Sequence, residues 1–117
     1  MGVPVTACVV DSTGAVVLLE RMDKAIPVSV DMAQRKAATA ALMGQSTVQL
    51  TALVQPGQPL FGLTSVDGGR FVAFGGGVPL MHEGVLIGGV GVSGGSIDQD
   101  AQLAEIGAAQ APERQPS

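Results

Sequence analysis

Tryptophan and tyrosine are absent, and three phenylalanines are the only aromatics, 3% of the 117-residue chain. Hydrophobic residues nevertheless make up 46%, so a core has to be assembled from Val, Leu, Ile, Ala and Met. The single cysteine, Cys8, cannot form an internal disulfide, which fits a reducing compartment and makes a cytoplasmic location the expectation. Nothing cationic lies beside Cys8 in the sequence to lower its thiol pKa, so it reads as a small packed hydrophobe. Positive charge is also scarce. Six Lys and Arg stand against ten Asp and Glu, for a net charge of −4. Without a basic run or aromatics for stacking, a nucleic-acid partner is not expected. No apolar stretch reaches the roughly 18 residues that span a bilayer, and no basic segment with an apolar core opens the chain, so neither membrane nor secretory signal is expected.

What the chain does have is glycine, seventeen in all, with no collagen-like repeat; such a composition implies tight turns and close-packed backbone. The richest stretch, Val85 to Asp100, organises the rest. Val85 to Val92 is apolar except for glycines, as in a strand buried on both faces. Gly94 and Gly95 break it, and Ser96 with Gln99 three residues later forms a capping-box pattern for a helix. Two chemical motifs overlap here and neither can be completed. Gly89-Val-Gly-Val-Ser-Gly94 fits the dinucleotide fingerprint, but no second strand ending in an acidic residue follows at about 20 residues. Gly91-Val-Ser-Gly-Gly95 fits a nucleophile elbow, but the only histidine, His82, precedes the serine where that hydrolase order requires it to follow. The simpler meaning is that these glycines let a helix or a ligand approach a strand.

Along the chain, Val3 to Asp11 and Ala15 to Glu20 read as strands of a hairpin around the turn Asp11-Ser-Thr-Gly14. Arg21 to Pro27 is a loop in which Arg21 and Asp23 make a surface pair or face an anionic ligand. Ser29, as N-cap, starts a helix that Gly44 stops after Met43, with alanines along one face. Ser46 caps a short helix to about Val54. Phe71 to Phe74 and Val78 to Met81 read as short strands, Pro79 placing the latter at an edge or a strand start. His82-Glu-Gly84 is a turn, where a histidine is solvated or, alternatively, ligates a metal or haem. A final helix runs from Ile97 to about Ala109, with Asp98 and Asp100 in its first turn. Residues 1–110 then form one domain and 111–117 a disordered polar tail. Hairpins separated by helices argue α+β with an antiparallel sheet.

Several segments together resemble a known family. They are Val9-Val-Asp11 with Gly14, Arg21-Met-Asp23, Ala33-x-x-Lys36-Ala-x-Thr-Ala40, Gly76-Gly-Val-Pro79, and Ile87-Gly-x-x-Gly-Val-Ser-Gly-Gly95 with Gln99-Asp100. In this order they are similar to the GlcG/HbpS-like haem-binding family, which also supplies the C-terminal domain of PduO-type corrinoid adenosyltransferases. The resemblance implies a profilin-like three-layer α/β/α sandwich around a five-stranded antiparallel sheet, assembled into homo-oligomers. The chain starts almost at the first strand, where that family usually carries a helix, so the expectation is either a bare sheet face or a misassigned start. It also implies a small-molecule ligand, haem among the candidates, with Arg21, Asp23, Lys36, Gly76, Gly77 and Ser93 as ligand-binding residues and His82 as the possible axial ligand to haem iron. No catalytic residue is assigned. Two other functions fit the same resemblance: a small enzyme or accessory factor in organic-acid or aromatic-compound catabolism, with Lys36 or Asp23 as acid or base, and a ligand-free oligomerising module.

Overall fold

Hydrogen bonds at the first turn show how the sequence sets the fold. A computed structural model of the chain describes residues 2–114, with side chains as far as Ala109. Strand β1 (Thr6–Asp11) returns as β2 (Val16–Arg21). The Asp11 carboxylate accepts hydrogen bonds from the Thr13 amide, the Thr13 hydroxyl and the Ala15 amide, and these bonds hold its carboxyl below the usual carboxylate range. Gly14 supplies the left-handed residue, at φ 85°.

Helix α1 (Val28–Met43) follows and ends on a left-handed Gly44 whose amide donates to Ala40 O. Its N-cap is Pro27, not Ser29. Ser29 lies inside the first turn, fully buried, where its hydroxyl donates to Ile26 O and meets the Thr6 hydroxyl at 2.7 Å. A polar side chain with partners on a neighbouring strand is worth more there than at an exposed cap. Helix α2 (Thr47–Leu53) starts after Ser46, whose side chain makes no cap bond.

Two 3₁₀ turns, Leu63–Ser65 and Asp67–Gly69, lead toward β3 (Gly77–His82), and a two-residue turn, Glu83 and Gly84, joins it to β4 (Val85–Ser93). Both turn residues have positive φ, as that hairpin geometry requires. His82 closes β3 opposite Val85 and so lies in the strand, one place before the turn. In α3 (Ile97–Arg114) the capping box forms in full: the Ser96 amide donates to Gln99 Oε1, and the Gln99 amide to Ser96 Oγ. The helix continues past Ala109 to Arg114, where a disordered tail was expected. The remainder of that expected tail, residues 115–117, lies outside the described residues.

The strands form one antiparallel sheet in the order β2-β1-β4-β3. Among the described residues it has four strands, not the five expected. Phe71 to Phe74 does not join it because its backbone groups are already taken: the Val72 amide donates to the Thr39 hydroxyl, and the Thr51 hydroxyl donates to Ala73 O. Helix α1 packs on one face, where Cys8 and Val10 meet Ala33, Ala37 and Ala41. Helix α3 covers the other, with Ala104 against Val78, Leu80, Val90 and Val92. The chain is therefore α+β in three layers. Glycines make the α1 contact close: a Cβ on Gly89 or Gly91 would run into the carbonyl oxygen of Ala37 or Ala33. Helix α3 packs mainly against β3 and β4, and all six residues of β2 are exposed. No helix among the described residues is long and apolar enough to cross a membrane.

Candidate functional site

Pairing register brings three of the expected site residues to one end of the sheet. Thr6 stands opposite Arg21 on β2 and opposite Ser93 on β4. Beyond Ser93, the Val92 amide donates to Gly76 O, which draws Gly76 to the same end. Of these, Arg21 is exposed and donates to Ala25 O, while Ser93 is 7% exposed. Asp23 is exposed in the loop after Arg21.

Lys36 reaches the same sheet end from α1, but inward. Its side chain is 3% exposed, and Nζ donates to Val92 O at 3.0 Å and to Asp100 Oδ2 at 3.2 Å. Asp100, equally enclosed, accepts the Gly95 amide on its other oxygen. Burial pushes the Lys36 ammonium below its ordinary pKa, and the Asp100 carboxylate partly offsets this. One ion pair thus joins the helices on opposite faces around the end of β4. Gly76 and Gly77 were expected among the ligand-binding residues. They admit α1 instead, since a Cβ on either would strike Lys36. The sequence reading gave Asp100 a helix-dipole role and a place in the family motif but missed its partner. The signal available was Lys36 itself, a charged residue at the head of Ala37-Ala-Thr-Ala-Ala41, on a helix otherwise suited to close packing.

His82 is exposed at the far end of β3. Its partner Val85 lies eight residues before Ser93 on β4, which at about 3.3 Å per residue sets His82 about 25 Å from the Arg21 end. Cys8 is fully buried and burial raises its thiol pKa, which leaves it a poor metal ligand. Among the described residues, no three His, Cys, Asp or Glu side chains gather as a metal site.

Two surface clefts lie elsewhere, on either side of the segment around Gly69. One, of about 400 Å³, is mainly apolar, with Val54, Phe71 and Phe74 beside Thr51. The other, of about 330 Å³, carries Arg35 and Arg70 with their partners Asp31 and Asp67. Both fall at the small end of the range of about 300–1,000 Å³ for ligand pockets. Neither is lined by Arg21, Asp23, Lys36, Gly76, Gly77, Ser93 or His82. The sequence reading did not single out either cleft, because each gathers residues from separate elements.

The architecture has counterparts among known proteins. The family model described as "Haem degrading protein HbpS-like" matches residues 1–109. The corrinoid adenosyltransferase PduO of Citrobacter freundii is 48% identical over 103 residues, which make up 88% of this chain but only 31% of that protein. The chain therefore spans about a third of that relative. Among solved structures, the Klebsiella pneumoniae protein ORFY superposes with a TM-score of 0.91 at 40% identity, covering 98% of this chain and 79% of that one. A structure titled as a PduOC:heme complex gives a TM-score of 0.88 at 45% identity, covering 92% of this chain and 78% of that one. With a family model spanning residues 1–109 and a relative 48% identical over 88% of its length, the chain belongs to the HbpS-like family.

Proposed function

We propose that the protein is a small-ligand-binding module of the haem-binding type, with haem as its ligand, working in the cytoplasm as an assembly of several copies. The observation that carries this reading is the likeness, at 45% identity and a TM-score of 0.88, to a domain solved with heme. The donor chemistry fits haem at two places. The exposed His82 imidazole is suited to ligate iron, and the exposed Arg21 guanidinium to pair a propionate carboxylate. Asp23 lies in the loop after Arg21, Ser93 stands across Thr6 from it, and Lys36, Gly76 and Gly77 lie farther across the same end of the sheet. The separation between His82 and Arg21 exceeds the reach from haem iron to a propionate, so one haem meets both residues only between two copies. Haem, when bound, supplies a redox-active iron; the chain's residues supply its ligand, its charge partner and its orientation.

The test is a haemin titration followed by visible absorption, on the wild type, His82→Ala and Arg21→Ala. The expected result is a saturable Soret shift that weakens in both variants, with His82→Ala also changing the shape of the bound spectrum. A wild type with no saturable shift would overturn haem as the ligand, and a shift unchanged in both variants would overturn the residue assignment. Geometry disfavours the catabolic-enzyme reading with Lys36 as acid or base, because Nζ is enclosed and already bonded to Val92 O and Asp100.

A further inference from the structure

The polar cleft beside the first hairpin turn lies apart from the residues of the haem reading. Arg35 on α1 and Arg70 after the second 3₁₀ turn both line it. Each guanidinium side chain is 36% exposed, whereas Asp31 and Asp67, their carboxylate partners, are 61% and 56% exposed. The cations therefore lie deeper than the anions. Two guanidinium groups carry ten N–H donors between them, and contacts among the described residues engage four nitrogens. Arg35 Nε meets Asp31 and its Nη1 meets Gly69 O, both at 2.7 Å. Arg70 is held loosely: Nη1 is 3.5 Å from Asp67 Oδ2, and Nη2 is 3.4 Å from Gly14 O, at the outer limit of hydrogen bonding.

Arg70 packs against the backbone of the turn. Gly14 is buried, and a Cβ there would collide with the Arg70 guanidinium. The side chain thus lies against the bare backbone of the hairpin turn, with its remaining donors in the cleft. Gln34, also in the wall, donates its amide nitrogen to Val30 O, which leaves its amide oxygen as an acceptor for a ligand hydroxyl. A planar fork of donors, weakly committed and partly shielded from water, is the arrangement that binds oxyanions bidentately.

We propose that the cleft formed by Arg35, Arg70, Gln34 and the Gly14 turn binds a small oxyanion, carboxylate or phosphate, which displaces Asp67 from Arg70. The exchange swaps a long ion pair for a shorter one. The removal of the Asp67 charge therefore strengthens binding.

The experiment titrates sodium malonate and, in a separate arm, inorganic phosphate into the full chain. Binding is read by thermal shift and by amide NMR shifts at Gly14 and Gly69, against sodium chloride at matched ionic strength. A saturable response to malonate alone assigns a carboxylate, and to phosphate alone a phosphate group; a response to both supports the shared chemistry. Arg70→Lys, which keeps the charge and loses the fork, should weaken binding about tenfold. Asp67→Asn should tighten it; Asn tolerates the left-handed conformation found at residue 67 (φ 52°). The proposal is overturned if chloride reproduces the response, if neither anion saturates, or if both variants bind as the wild type does. Haemin binding serves as the control, since it should be unchanged in Arg70→Lys.

Discussion

Lys36 shows how a residue chosen for its chemistry can serve the fold. A buried ammonium is tolerated only with compensating partners, and Lys36 has two, Val92 O and the Asp100 carboxylate. Replacement by Ala would leave Asp100 enclosed with only the Gly95 amide. A loss of about 3–5 kcal/mol is expected from breaking such a pair, measured as a lower midpoint in urea unfolding. The double variant Lys36→Met, Asp100→Leu should recover much of that loss, because an apolar pair leaves no unpaired charge. If the single variant were as stable as the wild type, the pair would not be the tie between the two helices. The serine at 29 carries a similar lesson. It was readable as a cap from its place after a proline loop, yet its hydroxyl is used between α1 and β1.

At the scale of elements, α1 and β4 are made for each other. The helix presents Ala33, Ala37 and Ala41 where the strand presents Gly89 and Gly91, and neither side has room for one more carbon. Gly91→Ala should therefore cost about 1–3 kcal/mol through overpacking, seen in thermal unfolding. Gly84→Asn, in an open turn with positive φ and nothing near a new Cβ, should cost far less. Equal losses at the two positions would show that glycine acts through the flexibility of the unfolded chain and not through helix contact. The same scale explains the segment Phe71 to Phe74. Its apolar run suits a strand, but Thr39 and Thr51, on two different helices, take its backbone groups. It becomes the wall of the apolar cleft in place of a fifth strand.

The whole molecule is lopsided. Helix α3 packs chiefly on β3 and β4, Ala7 and Val9 of β1 lie half-buried at the margin of that cluster, and β2 is left exposed. There Leu18 is 51% exposed and pairs across to Val9. Val16, Val17 and Leu19 are exposed on the same strand, which is also a sheet edge. Edge strands with apolar side chains are surfaces that proteins normally blunt or cover. Under the proposed assembly, a second copy covers it. Light scattering should then give a mass above one chain for the wild type, and Leu18→Lys should lower it while circular dichroism stays unchanged. A wild type that stays monomeric at high concentration would sink the assembly, and with it the haem shared between copies.

How much of this the sequence determined follows from the range of the interactions. The Asp11–Gly14 turn, the Gly44 stop, the Ser96–Gln99 cap and the apolar β4 are local: a few adjacent residues fix backbone angles and nearby hydrogen bonds whatever lies beyond. They were legible, as was the ordered motif set that marks the family. Partners distant in sequence were not. Lys36 and Asp100 are joined across 64 positions, Arg70 and Gly14 across 56, and no periodicity encodes such a meeting. Only the tertiary structure decided that Lys36 turns inward, that Gly76 and Gly77 receive a helix, and that His82 and Arg21 stand at opposite ends of the sheet. The physical reason is that burial and charge pairing are set by what the finished fold brings together, whereas turns and caps are set by the chain's nearest neighbours.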